Sequence, residues 1–208
     1  MPNSVALCFH HRQFIVDARR ALFWPDRHAL ILSDLHLGKG DIFRAAGIAV
    51  PSGGTQKDLN TLAALIGDYG AREVIIVGDL IHAARPNPLW LSTWRDFQAQ
   101  HREVSMHVVI GNHDRHLDHA TLNVEPHTMI EWDGITFAHD QIAAEYQING
   151  HVHPMVNVPG ITGRWPCFWV RENTLTLPAF SLFTGGHRLE SGEAWIACIH
   201  DEVLANLR

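Results

Sequence analysis

ALILSDLH (29–36), EVIIVGD (73–79), VVIGNHD (108–114), ITFAH (135–139) and YQINGHVH (146–153) decide how this chain is read, because each is a short apolar run that ends in Asp, Asn or His. Apolar runs of this length, bounded by glycine or polar residues, predict buried strands. Open α/β sheets place their sites in the crevice beyond the carboxyl ends of such strands. The pattern therefore gathers Asp34, His36, Asp79, Asn112, His139, His151 and His153 at one edge of a sheet. A single Asp after a strand is ordinarily a turn former or a helix cap, and a single His a hydrogen-bonded structural residue. Recurrence at five strand ends makes a metal centre the better reading. In Asp34-x-His36 and His151-x-His153 the members are two apart, so an extended backbone would point both side chains to one side.

The rest of the chain agrees with a globular enzyme. Its 208 residues fit one domain, with 46% apolar and 18% charged residues and a formal charge of −6. Such a charge neither requires nor excludes a nucleic-acid partner, since local arginines or bound cations can still attract phosphate. Only Lys39 and Lys57 of the sixteen basic residues are lysines. Cys8, Cys167 and Cys198 are odd in number and form no CxxC pair, no basic-apolar leader opens the chain, and no apolar run approaches membrane-spanning length. A reducing cytoplasm and no membrane partner are expected.

Along the chain, QFIVDA and ALFWP predict a hairpin around Arg19-Arg20, and a polar loop from Gly38 to Gly54 precedes a helix over about 56–69 that Thr55 could cap. Leu89, Trp90, Trp94 and Phe97 recur at helical spacing, with core packing favoured over a substrate platform. From about 128 the texture turns to strands: HTMIEW, a turn at Asp133-Gly134, ITFAHD, YQINGHVHP, CFWVRE, TLTLP and EAWIACIHD. Strand and helix alternate only in the first half. Of sixteen histidines, His10, His11, His28, His101, His107, His116, His119, His127, His187 and His200 are read as surface or capping groups.

Seven donors exceed what one divalent ion with an open position can use, so two ions are expected, with Asp79 as the bridging carboxylate. Mixed nitrogen and oxygen donors without thiolate favour Mn, Fe or Zn over Ca and Mg. Such a pair of cations activates water and stabilises charge on phosphoryl oxygens. His113, beside a donor, is placed to protonate the leaving alkoxide. Asp114 is assigned to orienting His113 or capping a turn. His82 is either a phosphate contact or a satisfied loop histidine, and Lys39 and Arg44 either reach substrate phosphate or are solvated loop charges.

Asp34-Leu35-His36, Gly78-Asp79, Gly111-Asn112-His113-Asp114, His139 and Gly150-His151-Val152-His153 together resemble the five blocks of the calcineurin-like metallophosphoesterases. Two positions depart from that pattern, His82 in the second block and Ala138 before the fourth histidine. The resemblance implies a single-domain, four-layer α-β-β-α sandwich. It further implies one ion on Asp34, His36, Asp79 and His153, a second on Asp79, Asn112, His139 and His151, and His113 as general acid. More narrowly, SDLHLGKGDIFRAAGIAVPSG (33–53) and VGDLIHA are similar to the bacterial ligase-associated DNA-damage-response phosphoesterases. That similarity implies a Mn-dependent phosphodiesterase with DNA endonuclease activity in DNA repair, working beside a DNA ligase and a helicase. The alternatives are a phosphomonoesterase, a lipid-pyrophosphate or small-nucleotide hydrolase, and a non-catalytic metal-binding scaffold. Substrate choice is expected to lie in the insertions 83–102 and 154–170. A lipid substrate would need an apolar channel lined by Trp90, Trp94 or Phe97, whereas DNA would need an open, arginine-flanked groove.

Overall fold

The computed structural model describes residues 3–83, 90–115, 119–182 and 184–207. Leu89, His116, the side chain of His119 and the 84–89 part of the 83–102 insertion lie outside the described residues. Two sheets face each other. The first runs in the order β1 (Ser4–Phe9), β2 (Arg12–Asp17), β3 (Ala21–Trp24), β4 (Ala29–Ser33), β5 (Glu73–Val77), β6 (Ser105–Val109) and β7 (Glu125–His127). Its first four strands form an antiparallel meander; β4 to β7 pair in parallel.

The central strand β4 and residues 74–77 of β5 are almost wholly apolar because both of their faces are covered. In β4, Ala29 and Ile31 enter the core between the sheets, while Leu30 and Leu32 enter the core beneath the helices. The helical layer comprises α1 (Lys39–Ala45), α2 (Gly54–Tyr69), α3 (Trp90–Gln100) and the single turn α4 (His119–Leu122). In α2, Leu59, Leu62, Leu65 and Ile66 are buried, with Ala63 at the margin. Its N-cap is Gly53, and Thr55 instead accepts a hydrogen bond from the Gly38 amide at 3.2 Å. The polar loop expected over 38–54 contains α1, whose seven residues start at a left-handed Gly38. Trp90, Trp94 and Phe97 are core residues of α3, and the Trp94 indole N–H donates to Leu122 O at 2.9 Å.

The second sheet has the order β15 (Glu202–Asn206), β14 (Ala194–Ile199), β12 (Trp165–Val170), β13 (Thr174–Thr176), β10 (Gln147–Asn149), β9 (Ile135–Ala138) and β8 (Ile130–Trp132), and β11 (Met155–Val156) pairs with β12. HTMIEW, expected as one strand, divides between the sheets. Its His127 closes β7 of the first, and Ile130–Trp132 opens the second. Asp133 and Gly134 both have positive φ, as the hairpin turn between β8 and β9 demands. Alternation along β12 and β14 sends Phe168, Ile196 and Cys198 inward and Cys167, Trp195, Ala197 and Ile199 outward.

The expected sandwich is present, with one difference in its fourth layer. Among the described residues no helix follows Leu122, and the outer face of the second sheet is covered by Val156, Val158 and Leu189 from β11 and its neighbouring loops. The segment after 128 offers short strands and turns and no amphipathic stretch long enough for a helix. Among the described residues no helix is long and apolar enough to cross a membrane.

Candidate metal centre

The donors arise from loops that leave both sheets, not from one sheet edge alone. Asp34, His36, Asp79 and Asn112 follow β4, β5 and β6, whereas His139, His151 and His153 follow β9 and β10, which are themselves parallel. The loops after β4 and β5 run side by side: Asp34 N donates to Gly78 O at 3.2 Å, His36 N to Asp79 O at 2.8 Å and Leu37 N to Leu80 O at 2.8 Å.

Alternation along an extended backbone does not place these side chains. Asp34, His36, Asp79, His151 and His153 all have φ between 47° and 63°. This left-handed conformation costs a non-glycine residue about 1–2 kcal/mol, and strain of this kind persists where surrounding contacts enforce it. Each Asx/His-x-His pair is thus two left-handed residues around one ordinary residue, turned together by the loop. The neighbouring glycines are needed for close approach: a Cβ on Gly78 would overlap the His139 ring, and one on Gly111 the Asp79 carboxylate.

Two groups of donor atoms result, Asp34/His36/His153 and Asp79/His139/His151, each with its atoms mutually within 4.8 Å. In the first, Asp34 Oδ1 and His153 Nε2 lie 3.0 Å apart, yet neither atom has a hydrogen-bond partner, and both nitrogens of His36 are equally buried and unpartnered. A buried polar atom left unsatisfied costs about 1–3 kcal/mol, so convergence of these lone pairs fits a divalent cation. In the second, His139 Nε2 is 3.0 Å from His151 Nδ1, 3.0 Å from Asn112 Oδ1 and 3.6 Å from Asp79 Oδ2. Asn112 therefore joins the second group.

Outer contacts fix the rings. The far nitrogens donate to backbone carbonyls: His139 Nδ1 to Val77 O at 3.5 Å, His153 Nδ1 to Gly185 O at 3.1 Å and His113 Nδ1 to His82 O at 2.6 Å. This leaves each Nε2 aimed inward, as ligating histidines require. Asp79 Oδ1 accepts His113 N at 2.9 Å, and Asp34 Oδ2 accepts His151 N at 3.1 Å. Asp114 binds no donor group; its carboxylate accepts the amides of Leu80, Ile81 and Gly111 at 3.0–3.2 Å and so ties the Asp79 loop to the Asn112 loop.

Electrostatics favour metal-ready side chains. Burial, then the Lys39 ammonium, pushes the His36 imidazole down to about 2, which keeps it neutral. Burial opposes the Asp34 carboxylate, but His153, His139 and His36 outweigh it and hold its pKa below the usual value. Burial raises that of Asp79, and Asp34 adds to the effect.

Of the remaining predicted residues, Lys39 is buried, donates from Nζ to Thr184 Oγ1 at 3.1 Å, and is lowered in pKa first by burial. His82 stacks on His113 at 5.0 Å and meets His36 edge-on at 5.4 Å, while burial, Lys39 and His113 bring its pKa to about 4. Arg44 is held by Asp41 and Pro51 O, which occupies its guanidinium within its own loop. The segment after β13 was not singled out by sequence, yet it supplies Gly185 O to His153 and Thr184 to Lys39, and packs Gly186 against His153 O. Its signal was the Gly185-Gly186 pair.

Paired Asp/His donor groups at the strand ends of a two-sheet sandwich define a metal-dependent hydrolase. The chain belongs to the calcineurin-like phosphoesterase family, whose pattern it matches over residues 28–160. Its fold is similar to that of Pseudomonas putida nuclease MPE, at 28% identity and a TM-score of 0.85 over 98% of this chain and 100% of that one. A weaker likeness links it to Yfce, a phosphoesterase from E. coli, at 15% identity and a TM-score of 0.48, over 84% of this chain and 90% of that one. No curated protein matches the chain.

Proposed function

We propose that this chain is a two-metal phosphodiesterase that cleaves DNA. The observation that carries the reading is the pair of donor groups with Asp79 beside both Asp34 and His139. Asp34, His36, Asp79 and His153 would hold one cation, and Asp79, Asn112, His139 and His151 the other. Bound cations supply Lewis acidity and charge neutralisation for phosphoryl transfer to water. Manganese suits this imidazole-carboxylate-carboxamide set, as do iron and zinc. His113 Nε2, 3.9 Å from Asp79 Oδ2, is the proton donor to the leaving oxygen, with its ring fixed through Nδ1 by His82 O. Lys39 and His82 border the site and would meet substrate phosphate.

Polymeric substrate is favoured by similarity to a nuclease over nearly the full chain and by a cavity of about 550 Å³ beside His153. Lys57, Arg164 and Trp165 line that cavity and provide cationic and stacking surfaces suited to a nucleic-acid strand. A lipid channel through Trp90, Trp94 and Phe97 is disfavoured because all three are in the core. The similarity of residues 33–53 to ligase-associated phosphoesterases extends the proposal to DNA repair in the cytoplasm, beside a ligase and a helicase.

The test is nicking of supercoiled plasmid by chelator-treated protein with and without Mn²⁺, alongside bis-aryl and mono-aryl phosphates. Nicking restored by Mn²⁺ and faster cleavage of the diester are expected. Metal-independent nicking, or a preference for the monoester without nicking, would overturn the proposal.

A further inference from the structure

Three side chains that share no residue with the centre above form a separate donor group on the inter-sheet face of the first sheet. His107 is the middle residue of β6, and Glu125 and His127 are the outer residues of β7. Parallel register sets His107 opposite Glu125 and Val109 opposite His127. Residues two apart in a strand share a face, so all three side chains meet. His107 Nδ1 lies 3.4 Å from His127 Nε2 and 3.3 Å from Glu125 Oε2, and His127 Nε2 lies 3.5 Å from Glu125 Oε1.

These separations have a specific meaning. Donors about 2.0–2.1 Å from a tetrahedral zinc ion are about 3.3–3.4 Å from one another. The two imidazole nitrogens have that spacing from one another, and Glu125 approaches them through different oxygens, with one atom from each residue within 4.8 Å of the others, so a small turn of the exposed Glu125 side chain completes one face of such a tetrahedron. Glu73 of β5 completes the arrangement: its Oε2 lies 2.9 Å from His107 Nε2. Accepting that N–H fixes the tautomer, so the His107 Nδ1 lone pair faces the shared point, and the carboxylate-histidine pairing strengthens the donor. Trp132 of β8 packs edge-on to His107 at 5.8 Å and shields one side, whereas Glu125 is largely exposed and leaves the other open.

We infer that His107, Glu125 and His127 form a third, structural metal site for a divalent transition cation of the zinc type, with water in the fourth position and Glu73 as its positioning residue. The site would clamp the three-residue edge strand β7 to β6 immediately before the chain crosses from the first sheet to the second. Calcium and magnesium are poor matches for two imidazoles.

The test strips the full-length protein with chelator, titrates it with Co²⁺, and follows visible absorption together with bound metal. Wild type is expected to bind one equivalent more than Glu125→Gln or His127→Gln, and that equivalent to carry the strong visible absorption of tetrahedral cobalt. Glu73→Gln should keep the equivalent but weaken its binding about 10- to 100-fold. Glu125 is exposed, so its variant tests the site without disturbing the core, and both variants should retain the metal-dependent phosphoesterase rate of wild type. Equal metal content and equal absorption in wild type and both variants would overturn the inference and leave a hydrogen-bonded cluster only.

Discussion

Replacing Asp114 with Asn tests whether the centre depends on a residue that touches none of its donor atoms. The carboxylate accepts three buried amides, with Oδ2 serving Leu80 and Gly111 and Oδ1 serving Ile81. The Asn carbonyl can keep the first two, but its NH₂ then faces the Ile81 N–H, donor against donor. One charge-assisted bond is lost, at about 1.5–3 kcal/mol, and the remaining two weaken to neutral strength. A total of about 2–4 kcal/mol lowers the melting temperature of a chain this long by about 5–10 °C. The damage should not be confined to stability. Leu80 and Ile81 follow Asp79, and Gly111 precedes Asn112, so release of either loop moves a donor, and metal affinity should fall about 10- to 100-fold. Thermal unfolding of the chelator-treated protein gives the first quantity, and Mn²⁺ titration monitored by hydrolysis of an aryl phosphodiester gives the second. A variant within about 0.5 kcal/mol of wild type, the ordinary scatter for surface substitutions, and with unchanged Mn²⁺ dependence would refute the argument.

His113→Ala should lower kcat by about 10²–10⁴ while metal content is retained; an unaltered kcat would remove it as proton donor. Gly78→Ala forces a Cβ into the His139 ring at φ +83°, so the expected outcome is loss of metal from the His139 group, read by elemental analysis of the purified variant. Asp17 supplies a pH dependence. Its burial opposes ionisation, but hydrogen bonds from Arg19 and Tyr69 outweigh this and hold its pKa below the ordinary carboxylate value. The stabilisation is therefore complete above about pH 4 and declines as pH falls through the lower, folded-state value. Asp17→Asn should cost about 1–3 kcal/mol at pH 7, since Arg19 keeps Asp68 as a partner, and the gap to wild type should narrow in melts taken toward pH 3. A gap constant across that range would count against the assignment.

The apolar runs at 29–33 and 74–77 announced their strands because burial on both faces leaves little room for polar residues. Asp133-Gly134 announced its turn for an equally local reason, the need for positive φ. The donors were readable by type and order, but not their disposition. Spacing of two suggested extended backbone, and the loops instead use left-handed residues, a choice made by pairing between 34–37 and 78–81 that no single stretch encodes. Nor could HTMIEW reveal its division between the sheets, since no glycine or proline within it marks a break and only the packed core decides which sheet takes each end. His107 and His127 looked like surface histidines until β6 and β7 were set in register.

Because Asp34 and Asp79 hang from one sheet while His139, His151 and His153 hang from the other, the spacing within each donor group is also a gauge of how the sheets are seated. A slip of one sheet across the other by an ångström would pull both groups open at once. Phe137, Ile148 and Ile31, deep between the sheets and far from any reacting atom in kind, are in this sense alignment pins. Enlarging or shrinking one of them should be felt as a change in metal retention before it is felt as unfolding.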